Sequence, residues 1–294
     1  MSKFGFVILH YNTTEDTFAC VDSIKNNCRN VDYHIYIVDN ASPNSSGMIL
    51  KERFFLDKMV TVILSDSNLG FARGNNLGIE QSKRDGYSDF IIVTNNDTKI
   101  IQDNFCVLIE DCFVKSSFAV LGPTIYTPKG ETFMNPFGNQ ILCGKELNSA
   151  INYYKISHFL IKTNLASVWR IYSKIRYMKK HFLPKMKRIV KRIPIGHFYT
   201  ENCILHGCCL VFSKKFFEKL DGFDPRTFLY VEEFILHAHV VKSGMKTVYA
   251  PNVKIWHKED GATDSVFKDS KEKMLFKFEN MLKSLGVYQK VLNE

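Results

Sequence analysis

The sequence has no uninterrupted run of about 18 apolar residues, the length that an ordinary transmembrane helix requires. It also has no CxxC pair. Its eight cysteines are scattered, which argues against a zinc site and favours reduced thiols packed in the core of a cytosolic protein. The apolar stretch before His10 is too short for a signal peptide, so we expect a first strand there. A chain of 294 residues that is 45% hydrophobic is long enough for one large α/β domain.

Acidic residues are missing from one long segment. Between Leu147 and Thr200 there are twelve Lys or Arg and no Asp or Glu, whereas the rest of the chain holds 27 basic and 30 acidic residues. The formal net charge of +9 therefore comes from this segment alone. Glycine-rich phosphate signatures are missing too: the chain has neither GxGxxG nor a P-loop, so neither a dinucleotide fold nor a Walker ATPase is predicted.

What the chain does contain is an alternation of strands and helices. The apolar run at 90–94 stops at Asn95-Asn96-Asp97 and predicts a strand that is buried on both faces. Such strands belong to parallel sheets flanked by helices, and ligands bind beyond their carboxyl ends. Asp39 ends an earlier strand, so we expect Asp39 and Asp97 at the same rim, although DNASPNSS is also typical of an ordinary turn. Further strands are predicted at 4–9, 34–38, 60–64, 204–212, 246–250 and 255–257.

Several helices are also predicted. Thr13, with Asp16 three residues on, indicates a capping box that opens the first helix. Glu232-Glu233 opens a later helix, which Gly244 ends. Apolar residues at helical spacing predict a C-terminal helix at 266–292.

Seven stretches of the chain form an ordered set: ILHYN (8–12), IVDNAS (37–42), NLGFARGNN (68–76), NNDT (95–98), HGCCLVFSKKFFEKLDGFD (206–224), FLYVEEFIL (228–236) and YAPNVKIWH (249–257). In this order they resemble the family 2 glycosyltransferases with the GT-A fold, especially the rhamnosyltransferase-like branch that builds bacterial surface polysaccharides. The resemblance implies a Rossmann-like fold, a mostly parallel central sheet flanked by helices, with residues 1–294 as a single GT-A domain.

The resemblance implies inverting transfer of a sugar from a UDP- or dTDP-linked donor to a saccharide or lipid-linked saccharide acceptor, with Mn²⁺ or Mg²⁺. It gives Glu233 the role of base, with Glu232 before it. Asp97 would bridge to the metal, and His257 would complete the site. The nucleotide-sugar would be bound by Tyr11, Asn12, Asp39, Asn68, Arg73, Asn76, Asn95 and Asn96.

Elementary chemistry agrees with this set, because such a transfer needs a base for the acceptor hydroxyl and a cation for the departing diphosphate. The chain departs from the family pattern in four places. Asn95 replaces the first carboxylate of the DxD motif, Glu233 stands where Asp is more usual, and Ile235 replaces a frequent acid. The helix that is usually arginine-rich reads His237-Ala238-His239 instead. A non-catalytic partner that binds a nucleotide-sugar for another transferase is therefore an alternative. A nucleotidyltransferase would need a lysine and a glycine-rich signature near the first strand, and neither is there.

The basic segment is predicted to be an amphipathic helical insertion at 150–200. Aromatic and aliphatic residues alternate with cations over 151–193, and Pro184 is expected to divide two helices. This pattern is typical of a helix on an anionic membrane surface, which would place the protein peripherally on the inner face of the cell membrane. A homodimer contact and a solvated insertion are the alternatives. No nucleic-acid motif accompanies the charge, so nucleic acid is not an expected partner.

Overall fold

A computed structural model of the chain describes residues 1–132, 134–137, 142–182, 198–259 and 270–294. Ten strands in these ranges form one mixed sheet. The strands are β1 Lys3–His10, β2 Asp32–Asp39, β3 Val60–Leu64, β4 Phe90–Asn95, β5 Thr98–Ile100, β6 Val120–Thr127, β7 Gly130–Thr132, β8 Thr200–Glu201, β9 Cys209–Ser213 and β10 Thr247–His257. The helices are α1 Thr14–Asn27, α2 Ser46–Arg53, α3 Gly70–Arg84, α4 Phe105–Ser116, α5 Gly144–Lys162, α6 Ala166–Phe182, α7 Lys214–Phe217, α8 Glu232–Lys242 and α9 Ser270–Asn293.

The first half of the sheet confirms the predicted parallel α/β arrangement. Strands β3, β2, β1 and β4 lie side by side in that order, and each pair is parallel. Ile8, Ile37 and Ile92 are fully buried, because helices cover both faces of these strands. The strand predicted at 90–94 is β4.

The second half of the sheet is less regular than expected. β9 runs antiparallel to both β4 and β6, and β6 pairs in parallel with β10. The single strand predicted at 204–212 is wrong in its first part, because residues 206–208 form a turn and β9 begins only at Cys209. The two strands predicted at 246–250 and 255–257 are one strand, β10, with an irregularity between Ala250 and Lys254.

The described part of the basic segment contains two helices, α5 and α6. Residues 163–165 connect the two helices. The division predicted at Pro184 lies in 183–197, outside the described residues. The C-terminal helix is α9, and the predicted residues 266–269 also lie outside the described part. Leu147 of α5, Ile235 of α8 and Tyr288 of α9 share a hydrophobic cluster, so α9 supports the start of α8. No helix in the described ranges is long and apolar enough to cross a membrane.

Candidate active site

Three adjacent parallel strands bring the predicted polar residues to one rim of the sheet. In the register of the strands, His10 at the end of β1 lies opposite Asp39 at the end of β2. On the other side of β1, Leu9 lies opposite Asn95 at the end of β4, and Asp97 follows in the turn before β5. The expected common rim is therefore present.

His10 fixes the two loops that leave β1 and β2. Its ring is fully buried, and its two nitrogens lie 2.7 Å from the hydroxyls of Thr17 and Ser46. Burial lowers the pKa of His10 to about 4, with Asp39 acting weakly in the opposite direction. The ring is therefore neutral at physiological pH, and its role here is to hold the loops.

The loop after β1 contains Tyr11 and Asn12, both half-buried. Asn12 has a left-handed backbone with φ of 66°, and its N–H donates to the Ser42 hydroxyl at 2.9 Å. Its Oδ1 is buried without a hydrogen-bond partner, which leaves one acceptor for a ligand at this place. Asp39 accepts hydrogen bonds from the N–H and hydroxyl of Ser42, so it does form the turn that its neighbours suggested.

The loop that opens α3 is built from side-chain amides. Asn40 donates to Asn68 Oδ1 at 3.1 Å and accepts from the N–H of Leu69 at 2.8 Å. The N–H of Gly70 donates to Asn68 Oδ1 at 2.9 Å. Gly70 has φ of +75°, and a Cβ there would lie 2.1 Å from the carbonyl oxygen of Phe228, so only glycine fits. The loop is thereby pressed against the segment that leads into α8.

Two α3 residues that are predicted to bind the nucleotide-sugar, Asn76 and Arg73, form hydrogen bonds within the protein. The amide of Asn76 donates to the carbonyl of Phe223 at 2.8 Å and accepts from its N–H at 2.9 Å. Arg73 is exposed, and its Nε donates to Leu69 O on its own helix at 3.3 Å. Asn76 thus joins α3 to the chain before α8, while the guanidinium of Arg73 faces solvent near the rim.

Asp97 and His257 meet across the end of the sheet. Asp97 Oδ1 lies 3.2 Å from His257 Nε2, and the side chains are 10% and 9% exposed. The contact follows from the fold, because β5 pairs antiparallel with the end of β10 and sets Thr98 opposite His257. The Nδ1 atom of His257 is buried without a hydrogen-bond partner.

The two asparagines before Asp97 differ in direction. Asn96 is buried, and its amide donates to the hydroxyls of Thr13 at 2.7 Å and Thr17 at 3.0 Å. Thr13 therefore accepts from Asn96 and caps no backbone N–H of α1, so the capping box predicted with Asp16 is wrong. Asn95 is partly exposed, and its N–H donates to the carbonyl of Cys208 at 2.8 Å.

The turn around Gly207 links the Asp97–His257 pair to α8. The rings of His206 and His257 lie 6.1 Å apart between centroids. Nδ1 of His206 accepts the N–H of Cys208 at 3.1 Å, so the proton of the neutral ring is on Nε2. Burial, with the neighbouring His257, lowers the pKa of His206 to about 4, so the ring is neutral at physiological pH.

Glu233 lies on the other side of this turn. Its Oε1 is 2.9 Å from the position that a Cβ on Gly207 would take, and the N–H of Gly207 hydrogen-bonds its carboxylate. Burial raises the pKa of Glu233, a partly buried residue. Tyr230 and Val231 before it have φ of 73° and 70°, a conformation that is costly for bulky and β-branched residues. Strained backbone of this kind is common at functional sites, where it aims a side chain.

Glu232 points the other way. It is 6% exposed, and its Oε1 has no hydrogen-bond partner. Burial, together with the charge of Glu233, raises its pKa to about 8. Glu232 is therefore protonated at neutral pH and turned into the protein, whereas Glu233 reaches the rim.

Replacing Glu232 by glutamine should change how stability depends on pH. The folded chain keeps a proton on Glu232 up to about pH 8, whereas an unfolded glutamate loses it near its ordinary pKa of 4.5. Because the folded state binds more protons between these values, the free energy of unfolding falls as pH rises, by up to about 5 kcal/mol in all. Urea unfolding at pH 5, 7 and 9 should show a flatter profile for Glu232→Gln. An equal fall in that variant and in the exposed control Glu80→Gln would contradict the assignment.

The rim carries two side chains suited to a divalent cation, Asp97 and His257. Two cis ligands of an octahedral ion with bonds of about 2.1 Å are about 3 Å apart, close to the separation of Asp97 Oδ1 and His257 Nε2. A carboxylate with an imidazole suits Mn²⁺ and is acceptable for Mg²⁺ if phosphate oxygens and water complete the shell. Within the described ranges no three His, Cys, Asp or Glu residues are grouped to hold a metal. The residues thus fit an ion that a bound diphosphate shares.

Comparison with known proteins identifies the family of the chain. The model of the family described as Glycosyl transferase family 2 matches residues 6–221. The chain is a family 2 glycosyltransferase. The matched range holds the loops around Asp39, Asn68 and Asp97 and ends before α8, so the role of Glu233 is argued from geometry.

The transferase is similar to curated and solved proteins. It is 22% identical over 239 residues to N-acetylglucosaminyl-diphospho-decaprenol L-rhamnosyltransferase of Mycobacterium tuberculosis, in strains CDC 1551 and H37Rv, covering 78% of this chain and 67% of the relative. The resemblance to the rhamnosyltransferase-like branch is thereby confirmed. The crystal structure of GalNAc-T7 with UDP, GalNAc and Mn²⁺ superposes with a TM-score of 0.58 at 12% identity, over 94% of this chain and 50% of that one. The GT-A-like fold is confirmed, and this chain spans half the length of that structure.

Two residues that shape this rim, His10 and His206, are not among the predicted site residues. His10 directly follows the strand predicted at 4–9, and His206 lies inside the strand predicted at 204–212. His206 stands in an apolar run, where a polar residue followed by glycine was the one sign of a turn. The structure brings the predicted Asp97, His257 and Glu233 together around that turn.

Proposed function

We propose that the transferase moves a sugar from a UDP- or dTDP-linked donor to a saccharide acceptor, with inversion at the anomeric carbon and Glu233 as the base. The proposal is supported by the position of Glu233, a partly buried residue of raised pKa that contacts Gly207 in the turn beside the Asp97–His257 pair. The name of the mycobacterial relative describes transfer of L-rhamnose to a lipid-linked N-acetylglucosamine. We therefore take the acceptor to be a lipid-linked saccharide in bacterial polysaccharide synthesis.

The donor would lie across the ends of β1, β2 and β4. Asn12 Oδ1 is the buried acceptor without a partner, so it can receive an N–H or hydroxyl of the nucleoside, with Tyr11 and Asp39 beside it. Asn68 and Arg73 border the ribose and diphosphate. Asp97 and His257 would hold Mn²⁺ or Mg²⁺, which when bound supplies positive charge against the departing diphosphate.

Transfer then needs one proton acceptor. The acceptor hydroxyl gives its proton to Glu233 while its oxygen forms a bond to the anomeric carbon. The bond from that carbon to the diphosphate oxygen breaks, and its electron pair leaves with the diphosphate. A raised pKa makes Glu233 a stronger base, and the N-terminal end of α8 still favours its ionised form.

The proposal is tested by a screen of nucleotide-sugars with the purified chain. UDP- and dTDP-linked sugars should raise the melting temperature in the presence of Mn²⁺, because a ligand bound at about 100 times its Kd adds about 2.7 kcal/mol of stability. The donor that stabilises most should be turned over with N-acetylglucosaminyl-diphospho-decaprenol as acceptor. Donor binding without hydrolysis or transfer would instead support the non-catalytic alternative.

The α5–α6 pair supports a location at the cytoplasmic face of a membrane. On α6, Trp169, Tyr172 and Arg176 face inward onto Tyr153 and Phe278. A second apolar stripe on α6 faces outward, and exposed cations lie on the same helices. The exposed apolar side chains are Ile156, Phe159, Leu165, Val168, Ile171, Ile175, Tyr177 and Met178. The cations are Lys155, Lys162, Arg170 and Lys174. An apolar face edged by positive charge complements an anionic lipid surface.

Removing this outward stripe should release the protein from lipid. Ile171→Ser with Ile175→Ser should cut flotation with phosphatidylglycerol-containing vesicles at least fivefold, because each side chain contributes about 1.5–3 kcal/mol when buried in an apolar phase. The double variant Phe55→Ser, Leu56→Ser removes comparably exposed apolar residues elsewhere and serves as control. Equal flotation of all proteins would contradict the membrane assignment. A change in sedimentation mass without a change in flotation would favour the dimer.

A further inference from the structure

The ring of Phe137 is exposed and yet firmly held. It is 53% exposed, although its backbone N–H donates to the carbonyl of Ile204 at 2.8 Å. The nearby Asn135 is buried, donates to Pro123 O at 2.9 Å and accepts the N–H of His206 at 2.7 Å. An aromatic ring fixed in this way remains in contact with water at a defined position.

Two rings flank Phe137. His206 stacks against it with centroids 5.2 Å apart and planes at 18°, and Phe234 meets it edge-on at 6.4 Å. Both flanking residues are chain neighbours of the Glu233–Gly207 contact, since Phe234 follows Glu233 in α8 and His206 precedes Gly207. The exposed ring therefore packs on the two segments that meet at that contact.

The chemistry of this surface selects a class of ligand. A pyranose presents C–H groups on one face and hydroxyls around its edge, and an aromatic ring with a nearby polar group matches that distribution. Nδ1 of His206 accepts the N–H of Cys208, so Nε2 is the ring atom that remains to donate a hydrogen bond. An aromatic face with one donor beside it matches the C–H face and hydroxyl edge of a sugar.

We infer that Phe137 and His206 form the acceptor-sugar subsite, in which a pyranose packs on the Phe137 ring and receives a hydrogen bond from His206 Nε2. This inference rests on the proposed function, because it is the role of Glu233 as base that makes its neighbourhood the place of the acceptor. Phe137 and His206 are positioning residues here. They set which hydroxyl of the sugar lies at Glu233.

The test measures saccharide binding apart from transfer. Fluorescently labelled protein with UDP and Mn²⁺ is applied to an array of immobilised mono- and disaccharide pyranosides. The wild-type chain should bind a subset, and Phe137→Ala and Phe137→Leu should each weaken that binding about tenfold, whereas Phe137→Tyr should retain it. Phe55→Ala, which alters another exposed ring, should bind as wild type. Leucine keeps apolar bulk without a ring, so a loss in both Ala and Leu variants is specific to the aromatic face.

Two outcomes overturn the inference: no pyranoside bound by the wild-type chain, or wild-type binding by both Phe137→Ala and Phe137→Leu. The proposed function fails by a different result. If Phe137-dependent binding is found but the purified chain transfers no sugar from any donor, the subsite stands and the transferase proposal does not.

Discussion

Glu233→Gln is expected to lower sugar transfer by a factor of about 10²–10⁴, the usual contribution of a positioned general base. Nucleotide-sugar affinity should change by less than about threefold, since the change preserves shape and hydrogen bonding and alters only the capacity to accept a proton. The loss should therefore appear in kcat, with KM for the donor unchanged. Steady-state kinetics with N-acetylglucosaminyl-diphospho-decaprenol, paired with calorimetric titration of UDP, measures both quantities.

The neighbouring Glu232→Gln is the matched control for that experiment. It makes the same chemical change one position earlier in α8, on a side chain that is buried and protonated at neutral pH. Its kcat should stay within about threefold of wild type. A protonated carboxyl group cannot accept a proton, so replacing it with an amide removes no general base. Near wild-type turnover by Glu233→Gln would exclude it as the base, and a greater loss in Glu232→Gln would reverse the assignment.

Asp97→Ala is expected to abolish the Mn²⁺ dependence of nucleotide binding. Losing an outer-shell partner of a metal ligand commonly costs 10- to 100-fold in affinity, so losing a carboxylate ligand should cost at least about 100-fold. His257→Ala should have a smaller effect of the same kind, since it removes a neutral ligand at 3.2 Å from Asp97. Calorimetric titration of UDP with and without Mn²⁺ measures the difference directly.

Asp103→Ala is a suitable control for Asp97, because it removes an exposed carboxylate outside the rim. It should leave UDP affinity unchanged under both conditions. An Asp97→Ala variant whose UDP affinity still rises on adding Mn²⁺ as it does in wild type would refute the metal assignment. An equal loss with and without Mn²⁺ would instead mean that Asp97 acts only on the fold of the rim.

The parallel half of the fold could be predicted because its signals are local. An apolar run such as 90–94, ended abruptly by polar residues, is buried on both faces in β4, as expected. The antiparallel half could not be read in this way. The run at 204–212 contains a turn, and the turn exists because Asn135 binds the backbone of His206 from 71 residues away. A long-range contact of that kind leaves no periodicity in the sequence.

The site shows the same limit at the level of single side chains. Glu232 and Glu233 are chemically identical and adjacent, and only the resemblance to the family distinguished them in the sequence. Successive residues of a helix point about 100° apart, so the packing of α8 against its neighbours decides. Asn95 and Asn96 are also adjacent and identical but have different environments. The amide of Asn96 donates to the hydroxyls of Thr13 and Thr17, whereas Asn95 is partly exposed.

The amide-built loop at the start of α3 bears on the entropy of binding. Asn40 and Asn68 fix the loop through backbone N–H groups, and Asn76 ties α3 to Phe223 across 147 residues of chain. Immobilising a flexible side chain at an interface costs about 0.5–1.5 kcal/mol when a ligand binds. Here that freedom is lost when the chain folds, before a donor arrives. The loop is therefore preorganised, so a smaller part of the free energy of donor binding is offset by the entropy cost of ordering side chains.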